Sequence, residues 1–238
     1  MSSSLNVEIR MSADTVKNLQ GKNFNLLAFR AVETSDDGGL PVVWSGRKDY
    51  AEITDVSWGE TYGAFASYTK SKPRAQITVN CQKVINLGQK MVVLSPLQCQ
   101  EPVNGHAGCI SVLNNTKSEI PSCGIIERNN NNNNEFAPLC AFPLINGYVI
   151  LIRPIQKVFL TFGNKAMVTK MAITESIGPG ILIDMTKKPL RHVQYDANDG
   201  WIWNPREGSA EKYPAETKLA PHLIILSEGL KRAAKGML

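Results

Sequence analysis

The sequence predicts an all-β protein, a sandwich or two abutting sandwiches, with a short N-terminal helix and a C-terminal helix. Three observations carry this expectation. Short runs rich in β-branched and aromatic residues recur along the 238 residues. Turn chemistry separates them, as in SDDGG at 35–39, NLGQ at 86–89, FGNK at 162–165 and IGPG at 177–180. Long amphipathic segments do not alternate with them, so the helices that would cover a parallel α/β sheet are missing.

In chain order, LNVEIR at 5–10 alternates apolar and polar residues with the period of a half-buried strand. In MSADTVKNLQG at 11–21, Ser12 can cap a helix, Asp14 complements its positive end, and Val16 and Leu19 lie one turn apart. Gly21 then offers a left-handed stop. Strands are expected at 24–32, 41–45, 51–58, 63–69, 74–81 and 90–95. Further strands are expected at 108–113, 147–153, 157–162, 166–173, 180–186, 190–196, 201–204 and 222–226. Trp58, Tyr62 and Phe65 have mixed spacing beside Gly59 and Gly63, which predicts a turn or bulge there with the rings serving the core. Six asparagines at 129–134 cannot bury apolar surface and read as an exposed loop. That loop divides a β-sandwich region at 1–128 from a β region with its terminal helix at 135–238, a single compact domain being the alternative. In LSEGLKRAAKGML at 226–238, Ser227 can cap and Leu230, Ala233, Ala234 and Met237 make one apolar stripe. Lys231, Arg232 and Lys235 occupy the rest of that helix, which reads as docked on the body.

A 43% hydrophobic and 20% charged composition belongs to a globular chain rather than a disordered one. The net charge of +5 is spread without any run of five like charges, and Lys187, Lys188 and Arg191 form its densest cluster. Nucleic acid is therefore not expected as a partner. Every apolar run falls short of the roughly 18 residues of a membrane-spanning helix. The N-terminus resembles no signal peptide, so synthesis in the cytoplasm is expected, with leaderless secretion left open. Cys81, Cys99, Cys109, Cys123 and Cys140 are odd in number and read as buried free thiols.

Few motifs carry chemistry. Cys99, His106, Cys109 and Cys123 are zinc-ligand types without the usual C-x2-C spacing, and His106 with Cys109 lacks a family signature for a nucleophile and its base. No metal or cofactor is expected, and no catalytic residue is assigned. YDANDGWIWNPREG at 195–208 is the densest collection of aromatic and polar side chains. Its candidate ligand-binding residues are Tyr195, Trp201 and Trp203 as stacking surfaces, with Asp196, Asn198 and Asp199 as hydrogen-bonding groups. Asp199-Gly200 is a hairpin-turn signal, and strand alternation then puts Trp201 and Trp203 on one face and Ile202 on the other. The resulting expectation is a non-catalytic binding protein, lectin-like or toxin-like, for a glycan or a membrane lipid headgroup. The alternatives are an enzyme using Asp184, His192 or Asp196 in acid–base work, and a structural or assembly protein forming homo-oligomers through the charge-poor stretch 76–127.

Overall fold

The computed structural model describes residues 4–130 and 135–237. The chain opens with β1 (Leu5–Arg10), α1 (Ala13–Gly21), β2 (Phe24–Thr34), β3 (Leu40–Pro41), β4 (Ser45–Arg47) and β5 (Ile53–Ser67). There follow β6 (Cys81–Val84), β7 (Gln89–Ser95), β8 (Gln98–Cys99), β9 (Val103–Asn104), β10 (Ile110–Asn114) and β11 (Ile120–Asn129). Next come β12 (Glu135–Pro138), β13 (Cys140–Leu144), β14 (Val149–Asn164), β15 (Gly180–Asp184), β16 (Leu190–Asp196) and β17 (Gly200–Trp203). A single 3-10 turn at Pro205–Glu207, β18 (Ala210–Tyr213), α2 (Ala220–Leu223), β19 (Ile224–Leu226) and α3 (Glu228–Lys235) complete it.

Among the described residues the strands form two curled sheets packed face to face, the all-β sandwich the sequence predicts. The first runs β17-β16-β1-β5-β11-β13-β3, with β6 on β5 and β12 on β11. The second runs β18-β15-β14-β10-β7-β8, with β2 along β14 and β4, β19 and β9 at its margins. Both sheets take strands from either side of the asparagine run. Residues 131–134 of that run lie outside the described set, while Asn129 is not in an exposed loop: it is buried and donates from Nδ2 to Trp44 O at 3.0 Å. A strand-end position whose amide finds a carbonyl inside the core explains the departure.

The inner layer joins Val7, Ile9 and Ala64 of the first sheet to Val112, Ile152 and Leu160 of the second. Both sheets also have covered outer faces. Along β2, Leu26, Ala28 and Val32 enter the inner core, whereas Leu27, Phe29 and Ala31 pack outward on Phe159, Met167, Ile173 and Leu223. On the first sheet Phe65, Ile126 and Ala141 are covered by Ala75 and Ile77. These outer covers explain two mistaken strand expectations, at 74–81 and 166–173. The strand expected at 222–226 does form, as β19 at Ile224–Leu226 after α2 has taken His222 and Leu223, whereas residues 74–80 and 166–173 touch the rest of the protein by isolated bridges such as Gln76 with Met171. Their apolar side chains serve packing on a sheet face instead of a ladder. The 41–45 expectation likewise resolves into the ends of β3 and β4 around bridged Val42.

Two long strands replace pairs of expected short ones. β5 continues through Trp58 and Tyr62, and its register against β11 shifts between Glu127 and Asn129, the irregularity the glycines imply. Trp58, Tyr62 and Phe65 are all buried, as expected for core rings, with Phe65 in the outer cluster. β14 likewise spans 149–164 with a register shift between Pro154 and Val158. From that irregular stretch Gln156 reaches a buried ion pair between the sheets. There Arg30 Nε donates to Glu127 Oε2 at 2.9 Å, and Arg30 also donates to Lys157 O and Gln156 Oε1. The Arg30 guanidinium lies 4.2 Å from the centre of the Trp58 ring. Glu127 Oε1 has no hydrogen-bond partner among the described residues, and burial pushes its carboxyl up against the opposing pull of Arg30.

Both expected helices form. Ser12 Oγ accepts from Thr15 N at 3.1 Å, but the left-handed residue after α1 is Asn23, at φ 55°, rather than Gly21. Ser227 caps α3, whose Leu230 and Ala234 are buried against Cys109, Val149 and Leu151. Met237 stays exposed, outside the stripe assigned to it. The free-thiol expectation holds for Cys109, Cys123 and Cys140; Cys81 of β6 is instead bonded to Cys99 of β8, with Cα atoms 6.2 Å apart. No helix among the described residues is long and apolar enough to cross a membrane.

Candidate functional site

β16 and β17 pair as a hairpin with Val193 opposite Trp203, Gln194 opposite Ile202, Tyr195 opposite Trp201 and Asp196 opposite Gly200. Three residues make the loop, and Gly200 takes φ 72°, a left-handed position that a side chain would strain. Asp196 Oδ1 accepts from Asn198 N at 2.8 Å and Asp199 N at 3.2 Å, and Oδ2 accepts from Thr15 Oγ1 at 3.3 Å. The two backbone N–H groups hold its carboxyl below the usual aspartate range. Asp196 is thereby committed to the loop, while Asn198 and Asp199 are exposed on its tip.

Trp201 is only 1% exposed. Its ring lies 5.8 Å from Phe162 at 14°, and Nε1 donates to Pro179 O at 3.0 Å. Half-buried Tyr195 packs 4.6 Å from Phe162 and 4.8 Å from Trp201, centroid to centroid. Trp201 is therefore a core ring, which corrects its assignment as a ligand-stacking surface: the face it shares with Trp203 is the one the second sheet covers. Ile202, on the other face, is exposed as alternation requires.

Trp203 differs because it sits where that cover ends. Half-buried, it borders an open concavity of about 480 Å³ with Arg10, His192, Gln194, Ile202, Asn204 and Glu207, of which Gln194 and Ile202 pair on the face opposite its own. The neighbours come from β1, β16 and the 3-10 turn. Asn204 Oδ1 accepts from Arg206 N at 3.0 Å and starts the turn, which brings Glu207 back onto β16. There Glu207 Oε2 accepts from His192 N at 3.1 Å and stands 3.1 Å from His192 Nδ1. The backbone N–H holds the Glu207 carboxyl below its ordinary range. Arg191 fixes the same segment from beneath, its buried guanidinium donating to Asp184 O, Ser209 O and Gly208 O.

No protein-family model, curated protein or solved structure matches the chain.

The chemistry of the concavity is thus its own guide. Arg10 supplies donors, Glu207 acceptors, Gln194 and Asn204 both, Ile202 an exposed apolar side chain, and Trp203 the border where the opposing sheet's cover ends. Sequence reasoning singled out Trp203 and weighed His192 only as an acid–base group. Arg10, Gln194 and Asn204 are not singled out by the sequence, because strand pairing across 184 positions is what brings Arg10 beside Gln194 of β16. The one local signal was NPRE, whose proline after a capping asparagine predicts a short turn.

The other chemical pair behaves differently. Cys109 Sγ is 3.6 Å from His106 Nδ1, yet Cys109 is buried and burial pushes its thiol up, away from the thiolate a nucleophile requires. No group of three or more His, Cys, Asp or Glu placed to hold a metal occurs among the described residues.

Proposed function

We propose that the protein is a non-catalytic, lectin-like binding protein that takes a sugar residue in the concavity beside Trp203. The observation that carries this reading is the coincidence of a half-buried tryptophan with donors and acceptors of both kinds around one open hollow. A sugar presents apolar C–H faces and a rim of hydroxyls that donate and accept, so the exposed Ile202 side chain with Trp203 at the border, set among Gln194, Asn204 and Glu207, matches both parts. The opposite charges of Arg10 and Glu207 favour a neutral ligand over a strongly charged one.

Glycan-array screening followed by calorimetry tests the reading. Wild-type protein is expected to bind a neutral oligosaccharide. Trp203→Phe should weaken it about tenfold, equivalent to about 1.4 kcal/mol, and Gln194→Ala, at an exposed site, should also weaken it. Absence of any glycan ligand, or affinity indifferent to both substitutions, would sink the proposal. A second reading rests on the 3.1 Å approach of His192 Nδ1 to Glu207, a pairing that can orient an imidazole for proton transfer. Mass spectrometry of the bound oligosaccharide after long incubation separates the two: cleavage products that vanish in His192→Gln would make the site catalytic.

A further inference from the structure

We propose that a second site, the groove between α3 and the turn at residues 145–148, docks the zwitterionic phosphocholine headgroup of lipids at a membrane surface. The turn presents Ile145, 59% exposed, and Tyr148, 51% exposed, to solvent. Such large side chains are normally costly to leave uncovered together, and here their backbone is rigidly held. Asn114 is fully buried beneath the turn; its N–H donates to Tyr148 O at 3.0 Å, its Nδ2 donates to Leu144 O at 2.8 Å, and its carbonyl accepts from Gly147 N at 2.9 Å. The Tyr148 ring and the Ile145 side chain are thus displayed by a fixed support.

Behind them lies a hollow of about 430 Å³ with an apolar floor that includes Leu144, Val149 and Ile150. Its rim carries two cations, Lys235 and Lys231, the latter also 3.7 Å from Glu228 on its own helix, and two carboxylates, Asp36 and Glu119. This balance decides the occupant. A purely anionic or purely cationic ligand would meet as many repelling groups as attracting ones. A phosphocholine group carries both charges: the lysines suit its phosphate, the carboxylates and the Tyr148 ring suit its quaternary ammonium, and the apolar floor suits the lipid portion next to it. Lysine stems can lie along the apolar surface with their heads at the polar boundary, as expected where protein meets a bilayer. The site is separate from the Trp203 concavity, so it stands or falls independently of the glycan reading.

Sedimentation with phosphatidylcholine vesicles, repeated with phosphatidylglycerol vesicles and with free phosphocholine as competitor, tests the proposal on the full chain. The protein should sediment with phosphatidylcholine vesicles and be released by phosphocholine. Tyr148→Ala and the double substitution Lys231→Gln/Lys235→Gln should each lower the bound fraction's partition coefficient about tenfold. Both variants alter exposed tips, and near-ultraviolet circular dichroism checks that they fold. Trp203→Phe should leave vesicle binding intact. No sedimentation with phosphatidylcholine, sedimentation with phosphatidylglycerol alone, or unchanged partition in both groove variants would each overturn the assignment.

Discussion

Glu127 and Arg30 show how much a single residue can owe to a partner 97 positions away. Each side chain is fully buried, so each charge is tolerable only beside the other. Glu127→Gln should leave the Arg30 guanidinium uncompensated and cost roughly 3–5 kcal/mol of stability in urea denaturation. Replacing both residues, as Arg30→Met/Glu127→Leu, should recover most of that loss; additive losses in the double variant would show that the pair is not a unit. Nothing local marks these two residues, because a glutamate followed by an arginine in GIIER reads as a solvated strand end. Trp201 teaches the same lesson from the apolar side. Alternation correctly assigns it to one face with Trp203, but only the position of Phe162 on the opposing sheet, and of Pro179 just before β15, determines that one ring is covered and the next only half so.

At the scale of elements, the β16–β17 hairpin depends on ionised carboxylates. Asp196 accepts from the loop N–H groups, and Glu207 accepts from His192 N. Both carboxyls are held below their ordinary values, so each favours folding fully above about pH 4, the unfolded carboxylate range. That contribution is lost as pH falls through the lower folded-state values. Amide exchange at His192, Asn198 and Asp199 should therefore accelerate below about pH 4 before exchange in β14 does, and Glu207→Gln should flatten the response at His192. Uniform acceleration across both elements would contradict a local effect. The hairpin itself was legible from Asp199-Gly200, as were most strand centres and both helix caps. The central strand β11 was not. Its sequence, IPSCGIIERN, holds a proline, a glycine and a polar end, all of which resemble a turn. Gly124 is required because a Cβ there would come 2.3 Å from Cys140 O, so a residue that reads locally as a breaker is a consequence of close strand packing.

For the whole molecule, the margins of the two sheets are linked through Cys81 on β6 and Cys99 on β8. Joining residues 18 positions apart removes freedom from the unfolded chain, and Cys81→Ser/Cys99→Ser should lower stability by about 3 kcal/mol in the chain-entropy account. Thermal melts of wild type under non-reducing and reducing conditions should differ in the same direction, whereas the double variant should give one curve in both. Coincident curves for all samples would argue against the bond. The sequence by itself determined the all-β class, the two capped helices, the polar hairpin tip and the core role of Trp58, because backbone preference, capping and side-chain period act over a few residues. Only the tertiary structure decided which strands pair, which apolar segments cover a sheet's outer face, which cysteines meet, and which tryptophan reaches the surface. Those outcomes depend on contacts between residues distant along the chain, and the same local pattern of alternating side chains serves a covered face and an open one equally well.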